Sequence, residues 1–304
     1  MSTTWSTTTT LASVFASMGA AVAALALTLT KKPVSGLGGA ARDGSKREGE
    51  AICLKLAILW IGSVAVVIPT QAYEWWGPWG YLIYCGTCAA LYVTVPYAFP
   101  GPADRKLAIS DRYITKANLW VAIFSFIGNY WYTHYFYRVL KARYTFDAHR
   151  LNDVPICLYL MTHAYFMFYH SFSNRVIRTI RDTFERNAWR TLFEWAVIGA
   201  LSYATAFGEA ITICAFPHYA FQDVHQAYTL GSAFYAIYFV VSYPAFFLVD
   251  EPAFDVLGRV KKKRRWHLAE TAQSALAASM LVLCLLDFVR LALGIALFAP
   301  YKDE

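Results

Sequence analysis

At 304 residues the chain could form two soluble domains or one helical bundle, but 58% hydrophobic, 17% aromatic and only 15% charged residues fall well short of the roughly 25% charged residues of a soluble domain. That balance excludes an ordinary soluble protein. The net charge of +7 does not point to nucleic acid, because Lys and Arg sit in short clusters between apolar stretches, as membrane-flanking charge does.

A spanning helix needs about 20 mostly apolar residues, since its backbone polar groups must be satisfied within the segment. In chain order such stretches fall at 11–30, 52–69, 79–99, 117–140, 155–173, 192–215, 228–249 and 269–298. The expected fold is therefore all-α, a polytopic transmembrane helical bundle with seven strong spans and a candidate N-terminal eighth. Segment 11–30 is Ala/Ser/Thr-rich with Lys31 and Lys32 behind it, so it reads as a span, a signal anchor or a removed targeting segment. Residues 31–50, with Gly36, Gly38, Gly39 and mixed charge, predict a flexible linker. No strand precedes its Gly-Leu-Gly-Gly, which argues against a phosphate loop. Residues 1–50 are thus an N-terminal extension and 51–304 the membrane domain.

Loop charge tests this plan independently. The alternate loops 31–50, 100–116, 174–191 and 250–268 carry 20 of the 27 Lys and Arg, against five on the other side, which predicts cytosolic basic loops. Both termini are then lumenal if 11–30 spans. The run from Lys261 to Arg265 suits anionic lipid headgroups. Five of the six cysteines sit in apolar stretches, and Cys85 and Cys88 read as small buried residues despite their redox spacing.

Ionisable groups inside hydrocarbon cost about 2.5–3.5 kcal/mol on insertion scales, which makes them functional candidates. In 155–173, Tyr159, His163 and His170 share a face that Asn174 extends. In 192–215, Ser202, Thr205, Glu209 and Thr212 form a seam. Asn118, Ser125, Asn129 and Thr133 line 117–140, and Tyr228, Ser232, Tyr235 and Ser242 line 228–249. His134, Glu209, Tyr235 and His163 each lie six to eight residues from a lumenal end, or roughly 9–12 Å, and so could occupy one layer. Ser and Thr in such helices often only bond a neighbouring helix or their own backbone. Asp287 and Arg290 could likewise neutralise each other three residues apart. No zinc motif, metal-ligating cluster, Walker loop or dinucleotide fingerprint is present, so neither metal nor cofactor is expected.

Longer strings carry more information. Asp111-Arg112-Tyr113, Lys116-Ala117-Asn118-Leu119-Trp120, Gly128-Asn129-Tyr130 and Thr133-His134-Tyr135-Phe136 closely resemble the cycloeucalenol cycloisomerase family of phytosterol synthesis. Asn152-Asp153-Val154-Pro155, Phe168-Tyr169-His170, Phe216-Pro217, Asp250-Glu251 and the Asp287…Arg290 pair follow in the same order. The resemblance covers roughly 52–297.

It implies conversion of a 9β,19-cyclopropyl sterol, cycloeucalenol, to obtusifoliol with a Δ8 double bond and a C19 methyl. A proton goes to C19, positive charge develops near C9, and the C8 proton leaves. The donor must be a strong acid kept from water. Glu209 and His163 are the expected proton-transfer pair, with His134 next in line. Trp120, Tyr130, Trp131, Tyr165 and Tyr235 could wall the cation with aromatic faces, or simply face lipid. Asn118 and Asn129 could bind the sterol hydroxyl or orient a catalytic group, and His170 and Asp287 complete the expected substrate contacts. The implied partners are a sterol drawn from the bilayer and membrane lipid, and the implied place is the endoplasmic reticulum. A Δ8-to-Δ7 sterol isomerase and a non-catalytic sterol-binding protein remain alternatives.

Overall fold

The computed structural model describes residues 6–33, 39–252 and 265–294, apart from the side chains of 132–134, 138 and 213–215. Each of the eight apolar stretches contains a helix. They form α1 (Thr7–Ala26), α2 (Gly44–Val67), α3 (Pro78–Ala98), α4 (Tyr113–Arg138), α5 (Ile156–Thr183), α6 (Ala188–Ala215), a short α7 (Val224–Gln226) that runs through a π-helical turn into α8 (Ser232–Phe247), and α9 (Leu268–Ala292).

Among the described residues, five helical segments are long and apolar enough to cross a membrane: Thr7–Ala26, Gly44–Val67, Pro78–Ala98, Val224–Phe247 and Leu268–Ala292. Helices α4, α5 and α6 are as long, at 26, 28 and 28 residues, and α5 is the most polar of the three. The reason is visible in its surroundings, since it packs against α2, α3, α4, α6 and α8 and buries Tyr159, His163, His170 and Asn174. A helix surrounded by protein can satisfy polar groups that lipid could not. Helix α1 lies at the periphery with none of its residues buried. It touches α6 through Phe15, whose ring centroid is 5.1 Å from that of Phe207 and 5.5 Å from that of Tyr203.

The linker expected at 31–50 is corrected over its second half. Asp43 caps α2 by accepting from the Lys46 amide at 2.8 Å, and the helix begins at Gly44, eight residues before the apolar stretch. Lys46 and Glu50 are fully buried because each has partners from distant segments. The Lys46 ammonium pairs with Glu251 at 2.8 Å and donates to the carbonyls of Phe247 and Val249 at 2.7 Å. Arg178 of α5 reaches both Glu50 and Glu251 at 2.9 Å, and Lys116 of α4 holds Asp250 at 2.6 Å. These pairs tie α2, α4 and α5 to the end of α8, as buried charge requires. Burial alone would raise the Glu251 carboxyl, but Lys46 and Arg178 outweigh it and hold it below the usual carboxylate range. Asp250 takes a positive φ of 52°, and its carboxylate also accepts from the Trp266 amide at 2.8 Å, contacts that offset the local strain.

At the opposite end two short ribbons close the bundle. Strand β1 (Ala142–Tyr144) pairs antiparallel with β4 (Tyr219–Phe221), Arg143 opposite Ala220. Strands β2 (Arg150–Leu151) and β3 (Val154–Pro155) form a hairpin. Its two turn residues, Asn152 and Asp153, have φ of 52° and 61°, which short polar side chains tolerate better than most.

Candidate active site

A hollow opens between α4, α5, α6 and α8 beneath the β1–β4 ribbon. It offers 180 Å³ to the centres of water molecules within 1080 Å³ of empty space that includes its mouth. The inner volume is below the roughly 300–1,000 Å³ of small-molecule sites, so a large ligand would also occupy the mouth. Each helix supplies one stripe at helical spacing. Ser125, Gly128, Asn129 and Phe136 come from α4, Thr162, Tyr165 and Phe166 from α5, Ala206, Glu209 and Thr212 from α6, and Tyr235 and Tyr238 from α8. Tyr144, Tyr219 and Phe221 of the ribbon complete the wall.

Glu209 is the single carboxyl among the described lining residues, and no described histidine joins it. Tyr235 from α8 and Tyr169 from α5 aim their hydroxyls at this carboxyl, while its Oε1 is sealed from solvent without a hydrogen-bond partner. The residue as a whole is only partly buried, because it faces the hollow. An unsatisfied carboxyl oxygen beside an apolar chamber is costly, which sets Glu209 apart from the other described lining residues. Across the chamber, Asn129 donates to the Ser125 carbonyl at 2.8 Å and Thr162 donates to the Asn129 Oδ1 at 3.4 Å.

Of the residues expected at the site, Glu209, Asn129, Tyr165 and Tyr235 meet here. The others are placed elsewhere. His163 shares a 2.9 Å bond between its Nε2 and the Asn118 Oδ1. The Asn118 amide nitrogen donates to the carbonyls of Ile114 and Tyr92 at 2.9 and 3.1 Å, so its oxygen accepts and the His163 Nε2 carries the proton. His170 donates from Nδ1 to the Phe166 carbonyl at 2.8 Å and accepts from Ser242 at its Nε2 at 2.9 Å, which occupies both ring nitrogens. Trp120 is wholly buried, 4.9 Å from Phe124 between ring centroids, with its indole N–H on Ser274. Tyr130 packs against Phe126 and Trp131, and Trp131 is 47% exposed, as a lipid-facing ring would be. Asp287 accepts from Arg290 at 2.8 Å on α9. The backbone of His134 belongs to α4, while its side chain lies outside the described residues.

Tyr169, Thr162, Tyr238 and the ribbon aromatics were not among the expected site residues. Tyr169 could have been found from its four-residue spacing to Tyr165. The ribbon carried no local signal, because β1 and β4 are separated by more than 70 residues.

Together the apolar spans, the aromatic chamber and the one carboxyl among its described lining residues define a class: a helical membrane protein with an internal, mostly apolar hollow and one acid group set against it. No family model matches the chain, and no solved structure matches it. Among curated proteins, the cycloeucalenol cycloisomerase of Arabidopsis thaliana is 41% identical over 257 residues, which are 84% of this chain and 89% of that protein. The chain belongs to the cycloeucalenol cycloisomerase family.

Proposed function

We propose that this protein opens the cyclopropane ring of cycloeucalenol to give obtusifoliol, with Glu209 as the acid. The observation that carries this reading is the Glu209 carboxyl, its Oε1 unpartnered, in a chamber walled by Tyr165, Phe166, Tyr235 and Tyr238. The protonated carboxyl gives its hydrogen to C19 as the C9–C19 bond breaks, and that bond's electron pair becomes the new C–H bond. The cation left near C9 sits among aromatic faces, which attract positive charge without a lone pair that would capture it. Loss of the C8 proton to the carboxylate just formed closes the Δ8 double bond and restores the acid. The redox state is unchanged, so the scheme calls for no cofactor. Asn129 and Thr162 offer the sterol polar contacts opposite the acid.

The same reading makes α4, α5 and α6 spans alongside α2, α3, α8 and α9, with α1 as an eighth. It places the basic loops in the cytosol, the protein in the endoplasmic reticulum, and catalysis in residues 51–304, against which 39–50 pack. Its substrate comes from the bilayer.

Turnover of cycloeucalenol in membranes at matched protein levels tests the assignment. Glu209→Gln should slow it by about 10²–10⁴-fold, the usual worth of a general acid, and His163→Ala should slow it far less. A near-normal rate for Glu209→Gln would refute Glu209 as donor, and a larger loss in His163→Ala would move the role to that histidine. Conversion of a Δ8 sterol to its Δ7 isomer in place of ring opening would favour the alternative isomerase.

A further inference from the structure

A second hollow lies on the outside of the bundle, a groove of 470 Å³ between α2 and α3. Both helices are long and apolar enough to cross a membrane. The rim residues Leu59 and Ile83 are 57% and 66% exposed, so the groove opens toward hydrocarbon. Its floor is aromatic, with Trp60 from α2 and Tyr84 from α3, and Trp76 lies over Tyr84 at 4.8 Å between ring centroids.

The floor also holds one polar pair. Ser63 donates its hydroxyl hydrogen to the Trp60 carbonyl at 2.7 Å, so in its 2.9 Å contact with Tyr84 the tyrosine is the donor. A lone pair on the Tyr84 oxygen is then left to accept from a ligand. With the Cys88 thiol beside both hydroxyls, they make one small polar spot in an otherwise apolar trough, which suits an amphiphile with a single hydroxyl.

The groove adjoins the chamber. Trp60 lines the groove and Tyr165 lines the chamber, and their ring centroids are 4.9 Å apart. Tyr165 is within electrostatic reach of Glu209 on one side and of Tyr84 and Cys88 on the other. These two rings lie between the hollows. Trp60 is pinned by its indole N–H to the Tyr92 hydroxyl at 2.8 Å, whereas no hydrogen bond is seen on the Tyr165 side chain among the described residues. We propose that the α2–α3 groove is the port at which a sterol leaves the bilayer, and that it enters the chamber past Trp60 and Tyr165. This rests on the reading of the chamber as a sterol site.

The test uses the full chain in phosphatidylcholine liposomes with a photoreactive diazirine sterol as probe, alongside turnover of cycloeucalenol. Ile83→Trp and Thr87→Trp fill the groove from its lipid side. Adducts are expected within 59–63 and 80–91 of the unaltered protein and should be displaced by excess sterol. In the two variants, labelling should fall and the half-saturating sterol fraction should rise by about fivefold or more, roughly 1 kcal/mol, with the effect on half-saturation rather than on the saturating rate. Absence of groove adducts overturns the proposal, as does displacement by excess phospholipid but not by sterol. Reduced labelling with unchanged half-saturation makes the groove a side site and equally overturns the port. Adducts in a wild-type protein that turns nothing over would sink the isomerase reading while leaving sterol capture in the groove supported.

Discussion

Tyr169 reaches the Glu209 carboxyl from α5 while Tyr235 reaches it from α8, so an acid on a third helix is held from two sides. A carboxyl that must address one carbon–carbon bond needs a fixed orientation, and two phenols beside it from different helices supply one. Tyr169→Phe should therefore lower the saturating rate by about tenfold, the loss of one oriented hydrogen bond, and change half-saturation by less than about twofold. Equal effects on both quantities would make Tyr169 a packing residue. Glu209 itself was legible in the sequence, because a lone acid in an apolar stretch is expensive wherever it sits. Its partners were not. His163 and Glu209 lie at similar depth, but depth along a helix does not fix which neighbour a side chain faces, and Asn118 is what His163 meets.

The start of α2 makes the same point for a whole element. Lys46, Glu50, Lys116, Arg178, Asp250 and Glu251 fall within the segments expected as basic loops, yet most of them are buried in ion pairs. Their partners are distant in sequence, Arg178 from Glu50 by 128 positions and from Glu251 by 73, so no local pattern could announce them. Removing Arg178 would leave two buried carboxylates without their shared cation. Arg178→Ala should destabilise the protein by about 3–5 kcal/mol, seen as a lower melting midpoint in detergent. A change within about 0.5 kcal/mol, the usual range for surface substitutions, would mean that the network contributes little. The β1–β4 ribbon is a further element that arises only in three dimensions, and it brings Tyr144 and Tyr219 over the chamber.

For the whole molecule, the proposed topology sets the basic loops and the ribbon on opposite faces of the membrane. An epitope inserted at 185–187 should be accessible in intact microsomes, and one inserted at 146–149 only after permeabilisation. The reverse pattern would invert the assignment, and exposure of both would remove at least one proposed span.

Amino-acid order alone determined the helical class, the apolar middle of each long helix among the described residues and the isolated acid, because apolar length and the cost of a carboxyl in hydrocarbon are properties of single segments. Family membership was also legible, in strings such as Gly128-Asn129-Tyr130. Tertiary structure decided which faces meet. It placed polar α5 at the centre, buried the charges of α2 against the end of α8, and set Tyr169 and Tyr235 around Glu209. Side-chain partnership depends on the rotation and packing of helices far apart in the chain, and those follow from the sum of all contacts rather than from the pattern of any one segment.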